Sequence, residues 1–282
     1  MVTGVAHTQG TFTGVGGVDL FWQSWIPAEP APRAAVVLVH GMGEHSGRYA
    51  ALIEVLTGAG LAVFAHDHRG HGRSAGRRAH IARLDDLVTD IGRSVARART
   101  ALPGLPLIVL GHSMGGLTST LWAQANPDGY DLLALSGPLA ALDGANAATR
   151  TAARLLSTLA PTLPLIAVDA DELSHDPQVG ADYRADPLVH SGKLSARTVY
   201  ELAAGVERVQ RGAERLRRPL SIQHGGLDSL APPRGSAELF VAAVAEDKRR
   251  IVYPGMFHEI FNEVGKQEVF DDLLSWLLER LE

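Results

Sequence analysis

Cysteine is absent from this chain of 282 residues. Its absence excludes a thiol nucleophile, a thiolate metal site and a disulfide framework. An excess of basic charge is also absent, because 26 Lys and Arg residues are outnumbered by 31 Asp and Glu residues and the formal net charge is -5. Since nucleic-acid binding calls for a basic surface, we expect no nucleic-acid partner.

Long apolar stretches are absent as well. No run reaches the ~18 consecutive apolar residues that mark a membrane-spanning helix. The first residues, MVTGVAHTQG, show neither the basic start nor the apolar centre of a secretory signal. We therefore expect a cytoplasmic protein whose contact with a membrane, if it has one, is peripheral.

The sequence does contain short apolar runs bounded by turn residues. Continuous runs of this kind predict strands that are buried on both faces of a parallel sheet. Helical patterns lie between them, with apolar residues three or four positions apart in 83–102 and again in 266–281. The alternation predicts an α/β fold with a mostly parallel central sheet flanked by helices. The apolar runs are AAVVLVHG (34–41), LAVFAHD (61–67), PLIVLGHS (106–113), DLLALSGP (131–138), PLSIQHGG (219–226) and RRIVYPG (249–255).

Two regions depart from the alternation. Residues 10–32 have the pattern of an antiparallel hairpin that leads into the sheet. Residues 138–192 show no buried strand, and their apolar stretch 151–168 is typical of partly helical structure. We therefore predict a discontinuous core of residues 1–137 and 193–282, with residues 138–192 as a cap or lid inserted over the carboxyl edge of the sheet.

The motif Gly111-His112-Ser113-Met114-Gly115 follows a predicted strand and precedes a helical run. This context is the one in which G-x-S-x-G forms a nucleophile elbow, a strained turn that exposes the serine at the N-terminus of a helix. Ser113 is therefore the candidate nucleophile.

A serine nucleophile needs a base and an acid that orients the base. Asp228 and His258 each follow a late predicted strand, in the chain order that this kind of site uses. Backbone N–H groups of Met42, after the predicted strand 34–41, and of Met114 are the candidate oxyanion hole.

The histidines of AHDHRGHGRS (65–74) raise the question of a metal site. A dinuclear metal hydrolase of the His-x-His-x-Asp-His type needs an acid where Gly70 stands, and no cysteine is available as a ligand. We therefore expect a structural turn here, no metal and no cofactor.

Five segments together make the sequence resemble the monoacylglycerol lipases of the α/β-hydrolase superfamily, in particular those of actinobacteria. Glu44, Arg48 and Tyr183 lie in the stretches most specific to that family. The resemblance extends over nearly the whole chain, including YRADPLVHSGKLS (183–195). The five segments are HGMGEHSGRY (40–49), DHRGHGRS (67–74), GHSMGG (111–116), HGGLDSL (224–230) and YPGMFHEIFNE (253–263).

The resemblance implies an α/β-hydrolase fold and a serine esterase that cleaves monoacylglycerol to glycerol and free fatty acid under a mobile cap. It implies the triad Ser113, Asp228 and His258, with the N–H groups of Met42 and Met114 as the oxyanion hole. It also implies that Glu44, Arg48 and Tyr183 bind the glycerol group. The substrate would be a small lipid, and apolar cap residues could touch a bilayer.

Three alternatives differ from this assignment. A lysophospholipase or broad-specificity carboxylesterase would use the same triad, and the sequence leaves this alternative open. A catalytically silent scaffold is disfavoured by the complete Ser-Asp-His set. A halide-removing enzyme would need aspartate in place of Ser113 and is excluded.

Overall fold

The computed structural model describes residues 4–142 and 147–281. Residues 1–3, 143–146 and 282, which the predicted domain boundaries include, lie outside the described residues. The strands are β1 (Val5–Thr13), β2 (Asp19–Pro27), β3 (Ala34–Val39), β4 (Leu61–His66), β5 (Leu107–His112), β6 (Leu132–Ser136), β7 (Pro164–Ile166), β8 (Leu194–Ser195), β9 (Leu220–Gly225) and β10 (Lys248–Tyr253). The α-helices are α1 (Ala50–Gly58), α2 (Leu84–Ala101), α3 (Met114–Ala125), α4 (Ala147–Leu159), α5 (Pro177–Ala185), α6 (Ala196–Arg211), α7 (Pro233–Ala242) and α8 (Lys266–Leu278).

A sheet of eight strands runs through the molecule in the order β1-β2-β4-β3-β5-β6-β9-β10. Six of these strands, namely β4, β3, β5, β6, β9 and β10, run parallel to one another. Strands β1 and β2 form an antiparallel hairpin, and β2 pairs antiparallel with β4. The mostly parallel α/β sheet and the hairpin are thus confirmed. The six apolar runs of the sequence correspond to β3, β4, β5, β6, β9 and β10.

Helices cover both faces of the sheet, which explains why β3 is apolar at every position. In β3 the side chains of Ala35, Val37 and Val39 pack with residues of α2, α3 and α6 on one face. Those of Ala34, Val36 and Leu38 pack with residues of α1 and α8 on the other. Successive side chains of a strand point to opposite faces, so burial of both faces favours apolar residues along the whole strand.

The predicted insertion contains α4, β7 and α5. Helix α4 packs against α6, and β7 pairs with β8 in a small antiparallel sheet. Two further backbone bonds join the same regions, from Ala196 N–H to Leu163 O (2.8 Å) and from Arg197 N–H to Pro161 O (3.0 Å). The insertion is therefore attached to α6, the helix that follows it. No helix within 4–142 and 147–281 has both the length and the apolar composition to cross a bilayer.

Candidate active site

Ser113 occupies the turn between β5 and α3. Its backbone has φ 55° and ψ -119°, a strained combination for a residue with a side chain. The turn is sharp enough that a Cβ at Gly111 would lie 2.5 Å from the Gly115 carbonyl oxygen, and one at Gly115 would collide with the Val39 carbonyl. The flanking glycines are therefore needed because the backbone segments of β3, β5 and α3 meet here.

The loop after β3 lies directly against this turn. A Cβ at Gly41 would come within 3.2 Å of the Ser113 Cβ, so the backbone leading to Met42 passes beside the serine. Met114 is the first residue of α3, where N–H groups have no intrahelical acceptor and the helix dipole is positive. Both predicted oxyanion donors therefore lie on backbone next to Ser113.

Asp228 and His258 are hydrogen-bonded to each other at the carboxyl edge of the sheet. The distance between His258 Nδ1 and Asp228 Oδ2 is 2.7 Å. Asp228 follows β9, and its other oxygen accepts hydrogen bonds from the N–H groups of Leu230 (3.0 Å) and Ala231 (2.8 Å). The carboxylate is thus fixed by its own loop and orients the imidazole that follows β10.

Burial and charge act in opposite directions on this pair. Burial disfavours the protonated His258 ring, but Asp228, with Glu259 and Glu44, outweighs burial and raises the pKa of the imidazole. Burial likewise disfavours the Asp228 carboxylate, but His258 and His224 hold its pKa well below the usual range. The pair therefore favours an ionised aspartate next to a histidine with increased proton affinity.

His224 is a contact of Asp228 that the sequence reasoning missed. Its Nε2 lies 3.1 Å from Asp228 Oδ2 and 2.8 Å from the Ala231 carbonyl oxygen. Both partners are acceptors, so Nε2 carries the proton and donates it. The position of His224 at the end of β9, four residues before Asp228, is the signal that could have found it.

The three predicted glycerol-binding residues lie in one buried network. Arg48 donates to Glu44 Oε2 (3.1 Å), and its guanidinium lies over the Tyr183 ring, 4.9 Å from the ring centre. Glu44 Oε1 accepts hydrogen bonds from Gly41 N–H (2.6 Å) and from the Tyr49 hydroxyl (2.5 Å). Glu44 is therefore also an anchor for the loop that carries Met42.

A second carboxylate in this network was not predicted. Glu259, the residue after His258, forms a two-pronged ion pair with Arg48 at 2.5 and 2.9 Å. Burial, and the proximity of Glu259, raise the pKa of Glu44 despite the Arg48 guanidinium. An acidic residue next to the proposed base was the available signal, but nothing in the sequence shows which cation it meets.

Ser113 and His258 line a common cavity of about 140 Å³, together with Met42, Glu44 and Tyr183. Glu259 also lines it, whereas Arg48 lies behind the two carboxylates. Among the described residues the Ser113 hydroxyl forms no hydrogen bond; serine–histidine bonds in unliganded sites are commonly long. Part of the lining is apolar and comes from the insertion and its surroundings, namely Leu139, Ile166, Val168, Leu173, Leu194 and Leu202.

The loop that carries His258 is tied to the insertion. Glu259 N–H donates to the Leu173 carbonyl at 2.7 Å. The buried Glu263 carboxylate accepts hydrogen bonds from the N–H of Phe257 (2.7 Å) and from the hydroxyl of Ser174 (3.1 Å). The His175 ring packs against the Phe257 ring, with the ring centres 3.7 Å apart and the planes tilted by 34°. The histidine loop and residues 173–175 thus form one hydrogen-bonded unit.

The histidines of residues 65–74, which the sequence raised as a possible metal site, are buried beside the loop after β3. His66, His68 and His71 pack with His40, whose ring centre lies 4.5 Å from that of His68. His40 Nε2 accepts a hydrogen bond from His68 N–H at 2.9 Å. In the part of the chain that the structure describes, no group of three or more side chains is arranged to hold a metal ion.

Several known proteins are similar to this chain over most of its length. The family model described as "Serine aminopeptidase, S33" matches residues 30–265. A monoacylglycerol lipase from Mycolicibacterium smegmatis is 42% identical over 98% of this chain and 98% of its own length. A monoglyceride lipase from Homo sapiens is 34% identical over 94% of this chain and 88% of its own length. The chain belongs to the monoacylglycerol lipase family.

A solved structure supports the membership. The monoacylglycerol lipase of Paleococcus ferrophilus is 32% identical and superimposes with a TM-score of 0.81, covering 98% of this chain and 99% of its own. The expected α/β-hydrolase fold and the resemblance drawn from the sequence are thus confirmed. Family membership extends over the insertion as well as the core, because these matches include nearly all of the chain.

Proposed function

We propose that this protein is a serine hydrolase that cleaves monoacylglycerol to glycerol and free fatty acid. The main support for the proposal is the shared cavity, which is lined both by Ser113 and by a histidine that a buried aspartate orients. The names of the family members compared above support the choice of substrate. They favour an ester over the peptide that the description of the family model suggests.

In the proposed mechanism His258 takes the proton of the Ser113 hydroxyl as the oxygen attacks the ester carbonyl. The oxyanion that forms is stabilised by the N–H groups of Met42 and Met114, each contributing about 3 to 4 kcal/mol to the lowering of the barrier. Protonated His258 then donates its proton to the departing glycerol oxygen. Water hydrolyses the acyl-enzyme by the same route, while Asp228 holds the imidazole and stabilises its cation.

We propose that residues 138–192 act as a cap that binds the acyl chain. Burial of a methylene contributes about 0.8 kcal/mol, so contact with the apolar lining would dominate the binding of a long chain. The cavity of about 140 Å³ is small, since pockets for drug-sized ligands occupy about 300 Å³ or more. A long acyl chain therefore requires the cap to move outward as the substrate enters.

The polar lining supports a neutral alcohol over a phosphate-bearing one. We propose that the glycerol hydroxyls meet Glu44 and Tyr183, while Arg48 holds the carboxylates in place from behind. Because its guanidinium already binds Glu44 and Glu259, it is not available to a phosphate. This arrangement disfavours the lysophospholipase alternative, which would use the same triad on a charged head group.

The experiment that tests the function is hydrolysis of a matched panel at neutral pH. One acyl chain is presented on glycerol, diglyceride, lysophosphatidylcholine and a simple alkyl alcohol, with Ser113→Ala as the blank. Strong preference for the monoglyceride supports the proposal. Equal rates on all esters would contradict the head-group assignment and leave a general carboxylesterase.

We further propose that the cap rests transiently on a lipid surface. Leu155 and Leu159 of α4 are 57% and 82% exposed, and Ile166 of β7 is 55% exposed. Apolar side chains grouped in this way suit insertion into the headgroup region of a bilayer. The double change Leu155→Glu and Leu159→Glu should lower binding to phosphatidylcholine vesicles, whereas Val241→Glu, at an equally exposed site on α7, should not. Equal vesicle binding by both variants would contradict this proposal.

A further inference from the structure

We infer that Glu259 is a specificity-determining residue of the leaving-alcohol site, where its carboxylate rejects esters whose alcohol carries a negative charge. The inference rests on the proposed ester hydrolysis and deepens it, because it names the class of alcohol that the site excludes.

Glu259 lies next to the proposed catalytic base, at the wall of the cavity. Glu259 follows His258 directly, its side chain is 5% exposed, and it lines the same cavity as Ser113. Its backbone is held by the bond to Leu173 and its carboxylate by Arg48. A carboxylate held in this way cannot rotate away from an incoming substrate.

Negative charges outnumber positive charges in the network around the cavity. Arg48 supplies one positive charge to the network, whereas Glu44 and Glu259 supply two negative charges. Among the described residues, neither a lysine nor an arginine lines the cavity. Because charges interact strongly where water is largely excluded, an anionic group next to the leaving oxygen would meet uncompensated negative charge. A neutral alcohol would not, and a cationic one would be attracted.

The Glu259 carboxylate can still accept one further hydrogen bond. A carboxylate offers about four lone-pair sites. Those of Glu259 accept two hydrogen bonds from Arg48 and one from the Asn262 side chain at 2.8 Å. One site on Oε1 remains for a hydroxyl donor. The group that repels a phosphate can therefore accept a hydrogen bond from a polyol.

Glu259 also acts on the neighbouring base, which provides an independent readout. Its charge is one of those that raise the pKa of His258 against the effect of burial. Catalysis needs the neutral imidazole, so loss of this charge should move the acid limb of the kcat/KM profile to lower pH. A residue that only supported the fold would not move that limb in a defined direction.

The experiment compares wild type, Glu259→Gln and Glu259→Asp on three esters of one acyl chain in neutral detergent micelles. The alcohols are glycerol, choline and glycerol phosphate. We expect wild type to hydrolyse the choline ester at least as well as the glycerol ester, and the glycerol phosphate ester at least about tenfold more slowly. Glu259→Gln should reduce that discrimination about tenfold and shift the acid limb downward, whereas Glu259→Asp should keep the wild-type order.

Two results would overturn the inference. One is wild type that hydrolyses the anionic ester as well as the neutral one, a measurement that needs no variant to fold. The other is unchanged discrimination in a folded, active Glu259→Gln. Failure of the proposed function looks different: wild type would cleave a nitrophenyl ester of the same acyl chain but not the glycerol ester.

Discussion

Two groups of buried histidines show how the same side chain is adapted to different tasks. His258 and His224 surround Asp228, whereas His40, His66, His68 and His71 pack against one another beside the loop after β3. All six are at most 4% exposed. Yet the pKa of His258 is raised, whereas burial lowers the pKa of His66 and His71 to about 4.

The difference between His258 and His68 comes from their neighbours. Around His258 the nearby charges are carboxylates, which outweigh the cost of burying a cation. Around His68 the neighbours are other imidazoles, which add to that cost. Burial alone therefore does not set the proton affinity of a histidine. His258 has an increased proton affinity, whereas the cluster of four histidines is kept neutral beside the loop before Met42.

The largest effect is expected from removal of the Ser113 hydroxyl, the proposed proton donor to His258. Ser113→Ala should abolish ester hydrolysis, with a loss on the order of a millionfold, because base and acid have no nucleophile to activate. The melting temperature should change little. Ser119→Ala, a buried serine on the same helix, is the matched control and should stay active. Turnover by Ser113→Ala at the wild-type rate would refute the assignment.

The second-largest effect is expected from removal of the Asp228 charge, which lies next to His258. Asp228→Asn should lower kcat by about 10⁴-fold, because the amide no longer favours the correct tautomer or stabilises the imidazolium. Asp128→Asn, an exposed carboxylate change, serves as the control. Single-turnover kinetics on a soluble ester measures the loss, and a decrease of less than about tenfold would contradict the proposed triad.

The buried neutral histidines should make the stability of the fold depend on pH in the acid range. His66 and His71 have pKa values near 4 in the folded chain and about 6.5 when unfolded, so the unfolded chain binds more protons between these values. Stability therefore falls as the pH drops from about 6.5 towards 4, by about 3 kcal/mol for one such histidine. Urea unfolding at several pH values measures this slope.

His68 offers a way to reduce that slope. Its ring nitrogens have no hydrogen-bond partner among the described residues, so His68→Leu removes a group that is costly to charge without breaking a side-chain bond. The variant should lose less stability in acid than wild type. His7→Leu, at an exposed position, should follow the wild-type curve. Parallel curves for His68→Leu and wild type would argue against this role for the cluster.

The smallest effect is expected from substitution of His224, the second histidine that contacts Asp228. His224→Leu removes a hydrogen bond to the Asp228 carboxylate and should lower kcat about tenfold, in keeping with the ~1.5 kcal/mol of a bond to a charged group. KM should change little, because His224 does not line the cavity. An effect confined to KM would place the residue in substrate binding instead.

The sequence predicted most of the core and the chain order of the proposed triad. Both are local properties, since a strand buried on two faces is mostly apolar and a nucleophile elbow needs glycines on either side of its serine. The connections to Glu259 and His224 were not predicted. Arg48 and Glu259 lie 211 positions apart, and no periodicity reports which buried charges meet. The pairing of β7 with the two-residue β8 was missed because neither is long enough to form a pattern.

The attachment of the histidine loop to residues 173–175 limits how the proposed cap could be redesigned. A chimera that exchanges α4 and β7 alone keeps the contacts of Leu173 and Ser174 with that loop. An exchange that continues through residue 175 must also bring partners for Glu263 and for the Glu259 backbone. The modular boundary for altering acyl-chain preference therefore lies before Leu173, inside the insertion rather than at its end.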